Sequence, residues 1–156
     1  MPMHSALEMS SWASKISGES RWFKANQLER QGKLEEAMNL YLEEAREQEA
    51  KSLALSALSM LSAAKCAAKL GKESASEYFK EAGRRYEKYG DLIIGISPNS
   101  SAWAYKMASR CYNWAGDQEA ADSVLKKAES LLEKVGEKAE RYFPLFKQYR
   151  PKKDER

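Results

Sequence analysis

The amino-acid sequence predicts an all-α protein, an antiparallel helix-hairpin solenoid of about three helix pairs with a capping helix at each end. Ala, Leu, Glu and Lys dominate, β-branched residues are scarce, and the 156 residues include only eight Gly and four Pro. Apolar residues recur every three or four positions, which is the spacing of a helix with one buried face. Glycines end predicted helices at regular points along the chain, which indicates a repeated hairpin.

Each run of helical periodicity ends at a glycine or at a break that contains proline. Pro98 lies in such a break, and Asn99 or Ser100 is expected to cap the helix that follows it. Pro144 is expected to interrupt the last helix. The glycines expected to end helices are Gly18, Gly32, Gly71, Gly90 and Gly116. The predicted helices are residues 5–17, 19–31, 34–48, 51–70, 73–89, about 99–115, 118–134 and about 137–149.

The length suits one domain, which we expect to span residues 1–149. Each helix pair has more apolar surface than it can cover alone, so stacking of neighbouring pairs would bury a continuous core. Apolar residues near the two termini would cover the ends of the stack. The helix pairs are expected at about 19–48, 51–89 and 99–134, the caps at 5–17 and 137–149, and a basic mobile tail at 150–156.

One short motif occurs three times, where the first helix of a pair gives way to the second. A glycine ends the first helix, a polar residue follows, and the second helix opens with acidic residues and alanine. Glycine suits the left-handed residue that ends a helix, and acidic residues suit the positive end of the next helix. The stretches are Gly32-Lys33-Leu34-Glu35-Glu36-Ala37, Gly71-Lys72-Glu73-Ser74-Ala75-Ser76 and Gly116-Asp117-Gln118-Glu119-Ala120-Ala121.

The residues that flank the third copy of the motif resemble the tetratricopeptide repeat. They are Tyr105, Ala108, Ser109 and Tyr112 before the glycine, and Ala121, Leu125 and Ala128 after it. The resemblance covers about residues 19–134, although the glycines are 39 and 45 residues apart where the family has about 34. Longer Ala-rich repeats, as in residues 82–91, look more like the soluble NSF attachment protein branch. The resemblance implies a protein-interaction adaptor that docks a partner segment on its concave face.

In that family the first helices of successive pairs line the concave face. The resemblance therefore implies a groove of Trp22, Asn26, Arg30, Lys65, Lys69, Trp103, Lys106, Arg110 and Trp114, together with Glu29, Leu58, Leu61, Ala68 and Asn113. Basic side chains beside aromatic rings suit an acidic peptide or helix, because cations bind carboxylates and rings supply apolar anchors. Asn26, Lys106 and Arg110 are candidate matches to the clamp that some members use for a partner's C-terminal carboxylate.

Other interpretations of the same residues stay open. The Lys and Arg side chains would be solvated helix surface, and Trp103 and Trp114 would pack between helices. A mixed helical bundle without a groove is a second alternative, because helices of these lengths also pack in bundles. Self-association through an end of the stack, or through the Ala-rich helix 51–70, is a third.

The sequence offers little material for catalysis, so we expect no enzyme activity, cofactor, metal or small-molecule substrate. His4 is the only histidine, and the glycine-rich phosphate-binding motifs are missing. Cys66 and Cys111 occupy equivalent positions on neighbouring repeats, where packed helices lie about 8–10 Å apart. A disulfide needs Cα atoms closer than about 7 Å, so two free, buried thiols are expected.

The sequence also allows predictions about the cellular location of the protein and about its basic C-terminal tail. We expect a cytoplasmic protein, because no signal peptide and no transmembrane run is visible. From Arg141 to Arg156, six basic residues outnumber two acidic ones, while the rest of the chain is close to neutral. This tail also carries aromatic residues, so a binder of nucleic acid or of a membrane surface is a rival hypothesis. A capping role for its first half is preferred.

Overall fold

The computed structural model describes residues 21–142, which form six α-helices and no strand. In chain order the helices are α1 (Arg21–Arg30), α2 (Leu34–Gln48), α3 (Leu53–Lys69), α4 (Ala75–Ile93), α5 (Pro98–Trp114) and α6 (Gln118–Tyr142). The all-α prediction is confirmed for this part of the chain. The predicted cap 5–17, Pro144 and the tail 150–156 lie outside the described residues.

One glycine turn connects the two helices of each pair, as the repeated motif predicts. Gly32, Gly71 and Gly116 all have a left-handed backbone, with φ values of +79°, +71° and +80°. The residue after each glycine donates its N–H to a carbonyl in the last turn of the preceding helix, at 2.9–3.0 Å. These bonds satisfy carbonyl groups that a helix end would otherwise leave unpaired.

The junctions between pairs repeat as well, with a period of 45 residues. Ser52 and Ser97 cap α3 and α5, and each hydroxyl accepts a backbone N–H at 3.3 Å. Four residues later, Ser56 and Ser101 donate to backbone carbonyls of the preceding helix, at 2.6 and 2.7 Å. The predicted cap of α5 is therefore corrected from Asn99 or Ser100 to Ser97. Proline favours the first position of a helix, so the cap precedes Pro98.

Gly90 does not end a helix, contrary to the prediction. α4 continues through Gly90 to Ile93, and the buried glycine lies against the ring of Tyr105. A Cβ atom at this position would lie 2.6 Å from Cε1 of that ring, which is too close for any real contact. The absence of a side chain at Gly90 thus allows α4 and α5 to pack closely. A short turn at residues 94–97 connects the two helices.

The structure also has one helix where the sequence analysis predicts two, at 118–134 and 137–149. α6 runs unbroken through Gly136 to Tyr142. Leu132, Val135 and Ala139 keep the half-buried helical periodicity across the expected break. A glycine inside a helix costs about 1 kcal/mol relative to alanine, which such packing can offset.

Extensive packing occurs only between consecutive helices of the described chain, as in a solenoid and unlike a closed bundle. Side chains also link alternate helices. Lys69 of α3 pairs with Glu29 of α1, and Lys127 of α6 pairs with Glu87 of α4. The helices therefore form two layers. The first-helix layer consists of α1, α3 and α5, and the second-helix layer consists of α2, α4 and α6.

Small residues and tyrosines fill the core between the layers. Alanines on both layers are fully buried, which lets the helix backbones approach closely. Three buried tyrosines donate their hydroxyls to carboxylates on the neighbouring helix of the core. The pairs are Tyr41 with Glu29 at 2.9 Å, Tyr105 with Asp91 at 2.6 Å and Tyr112 with Glu87 at 2.9 Å. Burial, reinforced by these carboxylates, raises the pKa of each tyrosine.

Cys66 and Cys111 are both buried and unbonded, which confirms the expectation of two free thiols. Burial raises the pKa of Cys66 to about 11 and that of Cys111 to about 12. Within residues 21–142, no helix is both long and apolar enough to cross a membrane.

Candidate partner-binding surface

The two helix layers carry opposite net charge. α1, α3 and α5 together contain seven basic residues and one acidic residue. α2, α4 and α6 contain fifteen acidic and ten basic residues. The contrast is sharpest on α3 and α5, which have no acidic residue at all. A candidate surface for an acidic partner is therefore built on these two helices.

α5 presents four of the predicted residues on one exposed face. Trp103, Lys106, Arg110 and Trp114 follow one another at spacings of three, four and four residues, so they share one side of the helix. Trp103 is 54% exposed and Trp114 is 50% exposed, and both cations between them are exposed. The opposite side of α5 is buried in the core, which fixes the direction of this face.

α3 extends the surface beside α5. The Lys65 ammonium lies 5.6 Å from the centre of the Trp114 ring, within range of a cation–π interaction. Lys69 is exposed and lies 3.6 Å from Glu29. We define the basic strip as Lys65, Lys69, Trp103, Lys106, Arg110 and Trp114. Leu61 was expected on this surface but is 3% exposed and belongs to the core, because its position faces the packed side of α3.

Each exposed tryptophan is held by one aromatic neighbour. Trp103 meets Tyr86 edge to face, with ring centres 6.0 Å apart. Trp114 meets Phe79 at 5.5 Å with tilted planes. Each ring therefore fits both interpretations of the sequence, packing between helices and an exposed anchor for a partner. One part of the ring packs between helices, and about half remains accessible. A ring held in place on one side loses little conformational freedom when a partner covers the other side.

The predicted residues of α1 make mainly internal contacts. Trp22 packs on Tyr41 with ring centres 6.5 Å apart, and Asn26 donates to the Tyr41 hydroxyl at 3.4 Å. The Trp22 indole N–H is buried and has no acceptor among the described residues. Arg30 is exposed at the end of α1. The structure thus assigns Trp22 and Asn26 to packing of the first pair and brings neither into the basic strip.

The cations of α5 lack acidic neighbours. Within residues 21–142, neither Lys106 nor Arg110 forms an ion pair, and Arg30 forms none either. Lys127 in the second-helix layer is different, because its ammonium lies 3.0 Å from both Glu87 and Asp91. Desolvation acts to lower the pKa of Lys127, but hydrogen bonds to Asp91 and Glu87 outweigh it and the pKa is raised. Within residues 21–142, no carboxylate neutralises Lys106 or Arg110.

A second exposed feature escaped the sequence analysis. Leu92 is 64% exposed, Ile94 is 43% exposed and Ile96 is 84% exposed, at the turn that joins α4 to α5. We call residues 92–96 the aliphatic turn. Its signal in the sequence is the run of aliphatic residues around Gly95, Leu92-Ile93-Ile94-Gly95-Ile96.

In the described part of the chain, no three His, Cys, Asp or Glu side chains are grouped so as to hold a metal ion. Comparisons with known proteins found no matching family model, curated protein or solved structure. The interpretation of the basic strip therefore depends on its own residues and geometry.

Proposed function

We propose that this protein is a non-enzymatic, tetratricopeptide-like adaptor of the cytoplasm that binds an acidic peptide or helix of a protein partner. The binding surface would be the basic strip on α3 and α5, which the family resemblance makes the concave face. One observation carries the proposal. Within residues 21–142, Lys106 and Arg110 form no ion pair, and they lie between two tryptophans that are each about half exposed.

The chemistry of the strip favours carboxylates over other ligands. Hydrogen bonds between a cation and a carboxylate are stronger than neutral ones, and they contribute about 1.5–3 kcal/mol each. Trp and Arg are also the residue types that most often dominate binding energy at protein interfaces. A partner that covers Trp103 or Trp114 would exclude water from the neighbouring cations, which strengthens their attraction to its carboxylates.

Binding of a synthetic acidic peptide tests the proposal directly. The probe is a fluorescein-labelled, Glu-rich peptide, and fluorescence anisotropy measures its Kd for the wild-type chain. A Lys106→Glu/Arg110→Glu double variant should weaken binding at least about tenfold. The matched control is Lys126→Glu/Lys134→Glu, which makes the same charge change at exposed positions of α6.

The comparison of the two double variants decides the outcome. Loss of binding in the α5 variant alone supports the basic strip, provided that circular dichroism shows both variants folded. Equal losses in both variants would mean that only the overall charge matters. An absence of measurable binding by the wild-type chain would overturn the proposal.

The opposite charges of the two layers favour self-association as a second candidate function. Glu36 is exposed on α2 and could supply a carboxylate to the basic strip of another copy, beside the exposed Glu35 and Glu43, which lie 3.1 Å from Lys72 and 3.6 Å from Arg21. Sedimentation velocity at low and at high salt would show a salt-sensitive oligomer in that case. A monomer at every salt concentration would exclude it. The basic tail lies outside the described residues, so no observation favours the nucleic-acid or membrane alternative.

A further inference from the structure

The ends of the basic strip differ in chemistry. The N-terminal end of α5 carries Trp103 and is adjoined by the aliphatic turn, whose Leu92 and Ile96 are mostly exposed. Residues 92–101 contain no charged side chain. The nearest charge before them, Asp91, is already bound by the Lys127 ammonium and the Tyr105 hydroxyl, at 3.0 and 2.6 Å. This end of the surface is therefore uncharged, with exposed aliphatic side chains beside the polar Asn99 and Ser100.

The other end of the strip is cationic. Lys65 and Lys69 lie in the C-terminal half of α3, and Arg110 lies in the C-terminal half of α5. The contact between Lys65 and Trp114 places these two helix ends side by side. From the aliphatic turn to the end of α5, the exposed side chains thus change from aliphatic residues and Trp103 to cations beside Trp114, and α5 itself has no acidic residue.

We infer that the partner segment has two parts, an apolar part that covers the aliphatic turn and Trp103, and an acidic part that binds Lys106, Arg110 and Lys65. This inference rests on the proposed function and specifies its ligand. α5 has 17 residues, which corresponds to about 25 Å along the helix, and the aliphatic turn lies just before it. A helical partner would need about 18 residues to span this distance, and an extended one about eight.

A second copy of this chain fits the surface poorly. Its exposed carboxylates on α2 could reach the cations, but the large apolar residues of α2 are buried or partly buried. No exposed large apolar residue of the described chain lies on that helix. Through α2, another copy would therefore supply the acidic part without the apolar part.

A membrane surface fits poorly as well. Lys106 lies ten positions beyond Ile96, about 15 Å along the helix. The aliphatic turn itself carries no basic residue to attract anionic headgroups. A partner segment that runs along α5 can reach both features, so we assign the surface to a protein segment.

Two synthetic peptides of about 18 residues test the inference. The block peptide carries Leu and Phe in its first third and Glu at intervals in the rest. The acidic peptide has the same Glu residues, with Ser in place of Leu and Phe. We expect the wild-type chain to bind the block peptide about tenfold more tightly than the acidic peptide by fluorescence anisotropy.

Variants then locate the apolar contact. Leu92→Ser/Ile96→Ser should remove the advantage of the block peptide and leave binding of the acidic peptide unchanged. Both side chains are exposed, so these substitutions should not unfold the chain. The matched control Leu70→Ser/Tyr142→Ser replaces two other exposed apolar residues and should keep the full advantage.

The outcomes separate this inference from the function on which it rests. Equal affinity of the wild-type chain for both peptides would overturn the inference alone and leave the acidic-segment adaptor standing. Failure of both peptides to bind, or undiminished binding by Lys106→Glu/Arg110→Glu, would overturn both. In a parallel experiment, the wild-type chain is sedimented with phosphatidylcholine–phosphatidylserine vesicles. Sedimentation that depends on Leu92 and Ile96, with the peptide advantage intact in their variant, would assign the turn to lipid instead.

Discussion

Charged side chains in the two helix layers have different surroundings. In the second-helix layer, Arg85 is bound by Glu81 at 2.9 Å and by the Ser56 hydroxyl at 3.1 Å, and Lys127 is bound by two carboxylates. On α5 of the first-helix layer, Lys106 and Arg110 have no such partners among the described residues. Arg85 and Lys127 therefore join helices of this chain, whereas Lys106 and Arg110 form no ion pair within residues 21–142.

The same contrast divides α5 itself into two sides. Tyr105 and Cys111 are buried and fix the helix against its neighbours, while Trp103 and Arg110 point to solvent. Adjacent residues such as Arg110 and Cys111 thus differ in exposure, and we propose that the buried ones stabilise the fold and the exposed ones bind the partner. Removal of a buried and of an exposed side chain of similar size from α5 tests whether stability and partner binding depend on different sides of the helix.

The largest difference in unfolding free energy is expected between two single variants, Tyr105→Ala and Trp103→Ala. Tyr105 is 2% exposed, so its removal leaves a cavity and should cost about 3–5 kcal/mol of unfolding free energy. Trp103 is half exposed, so its loss should cost much less while it weakens peptide binding. Urea unfolding monitored by circular dichroism gives both values. Similar costs for the two variants would make Trp103 a structural residue and weaken the proposed surface.

High pH should destabilise the fold through the buried side of the first-helix layer. Thiols in the unfolded chain ionise near pH 9, whereas burial raises the pKa of Cys66 to about 11 and that of Cys111 to about 12. The unfolded state therefore loses protons first. Stability is unaffected by these groups below pH 9 and falls between pH 9 and 12, by up to about 1.4 kcal/mol per pH unit for each thiol.

The buried tyrosines titrate in the same alkaline range, so a Cys66→Ala/Cys111→Ala variant isolates the thiols. Its unfolding free energy should decline less steeply with pH than that of the wild-type chain. Thermal or urea unfolding at a series of pH values provides the slopes. Identical slopes would show that the thiols ionise as readily in the folded protein as in the unfolded chain.

A smaller effect is expected where the two layers meet most closely. In Gly90→Ala the new methyl group would lie 2.6 Å from the Tyr105 ring and 3.2 Å from the Ser101 carbonyl oxygen. The clash should outweigh the better helix propensity of alanine and cost about 1–2 kcal/mol. Gly95→Ala is the control, because nothing lies within 4 Å of its Cβ position. A Gly90→Ala variant as stable as the control would show that α4 and α5 can shift apart easily.

The glycines also show what the sequence alone could predict about the fold. Gly32, Gly71 and Gly116 end their helices as predicted, because a left-handed glycine next to a polar residue is a local signal. Gly90 carries a similar local signal but lies inside α4. Its role is set by Tyr105, fifteen residues later in the chain, and single-sequence periodicity contains no information about that contact.

For the candidate surface, the family resemblance implied that Trp103, Lys106, Arg110 and Trp114 line the first helix of the third pair. The structure leaves all four side chains exposed on one face of α5, and their role in binding stays a prediction. Trp22 and Asn26 were assigned to the groove, but Tyr41 reaches them from α2, and no pattern within α1 reveals this. The aliphatic turn was missed because aliphatic residues are buried by default, and only the packed chain shows that Ile96 is left outside.

The smallest effect concerns the cations themselves and tests the contrast between layers directly. Lys127→Met would leave Glu87 and Asp91 without their shared cation, whereas Lys106→Met removes no ion pair within residues 21–142. Because the Lys127 side chain is 39% exposed, solvent screens its ion pairs, and the loss should be only about 0.5–1 kcal/mol. Lys106→Met should leave stability unchanged and weaken binding of the Glu-rich peptide. Urea unfolding and fluorescence anisotropy on both variants would show whether each lysine contributes to stability or to peptide binding. A stability loss in Lys106→Met that equals that of Lys127→Met would mean that both layers use their cations in the same way.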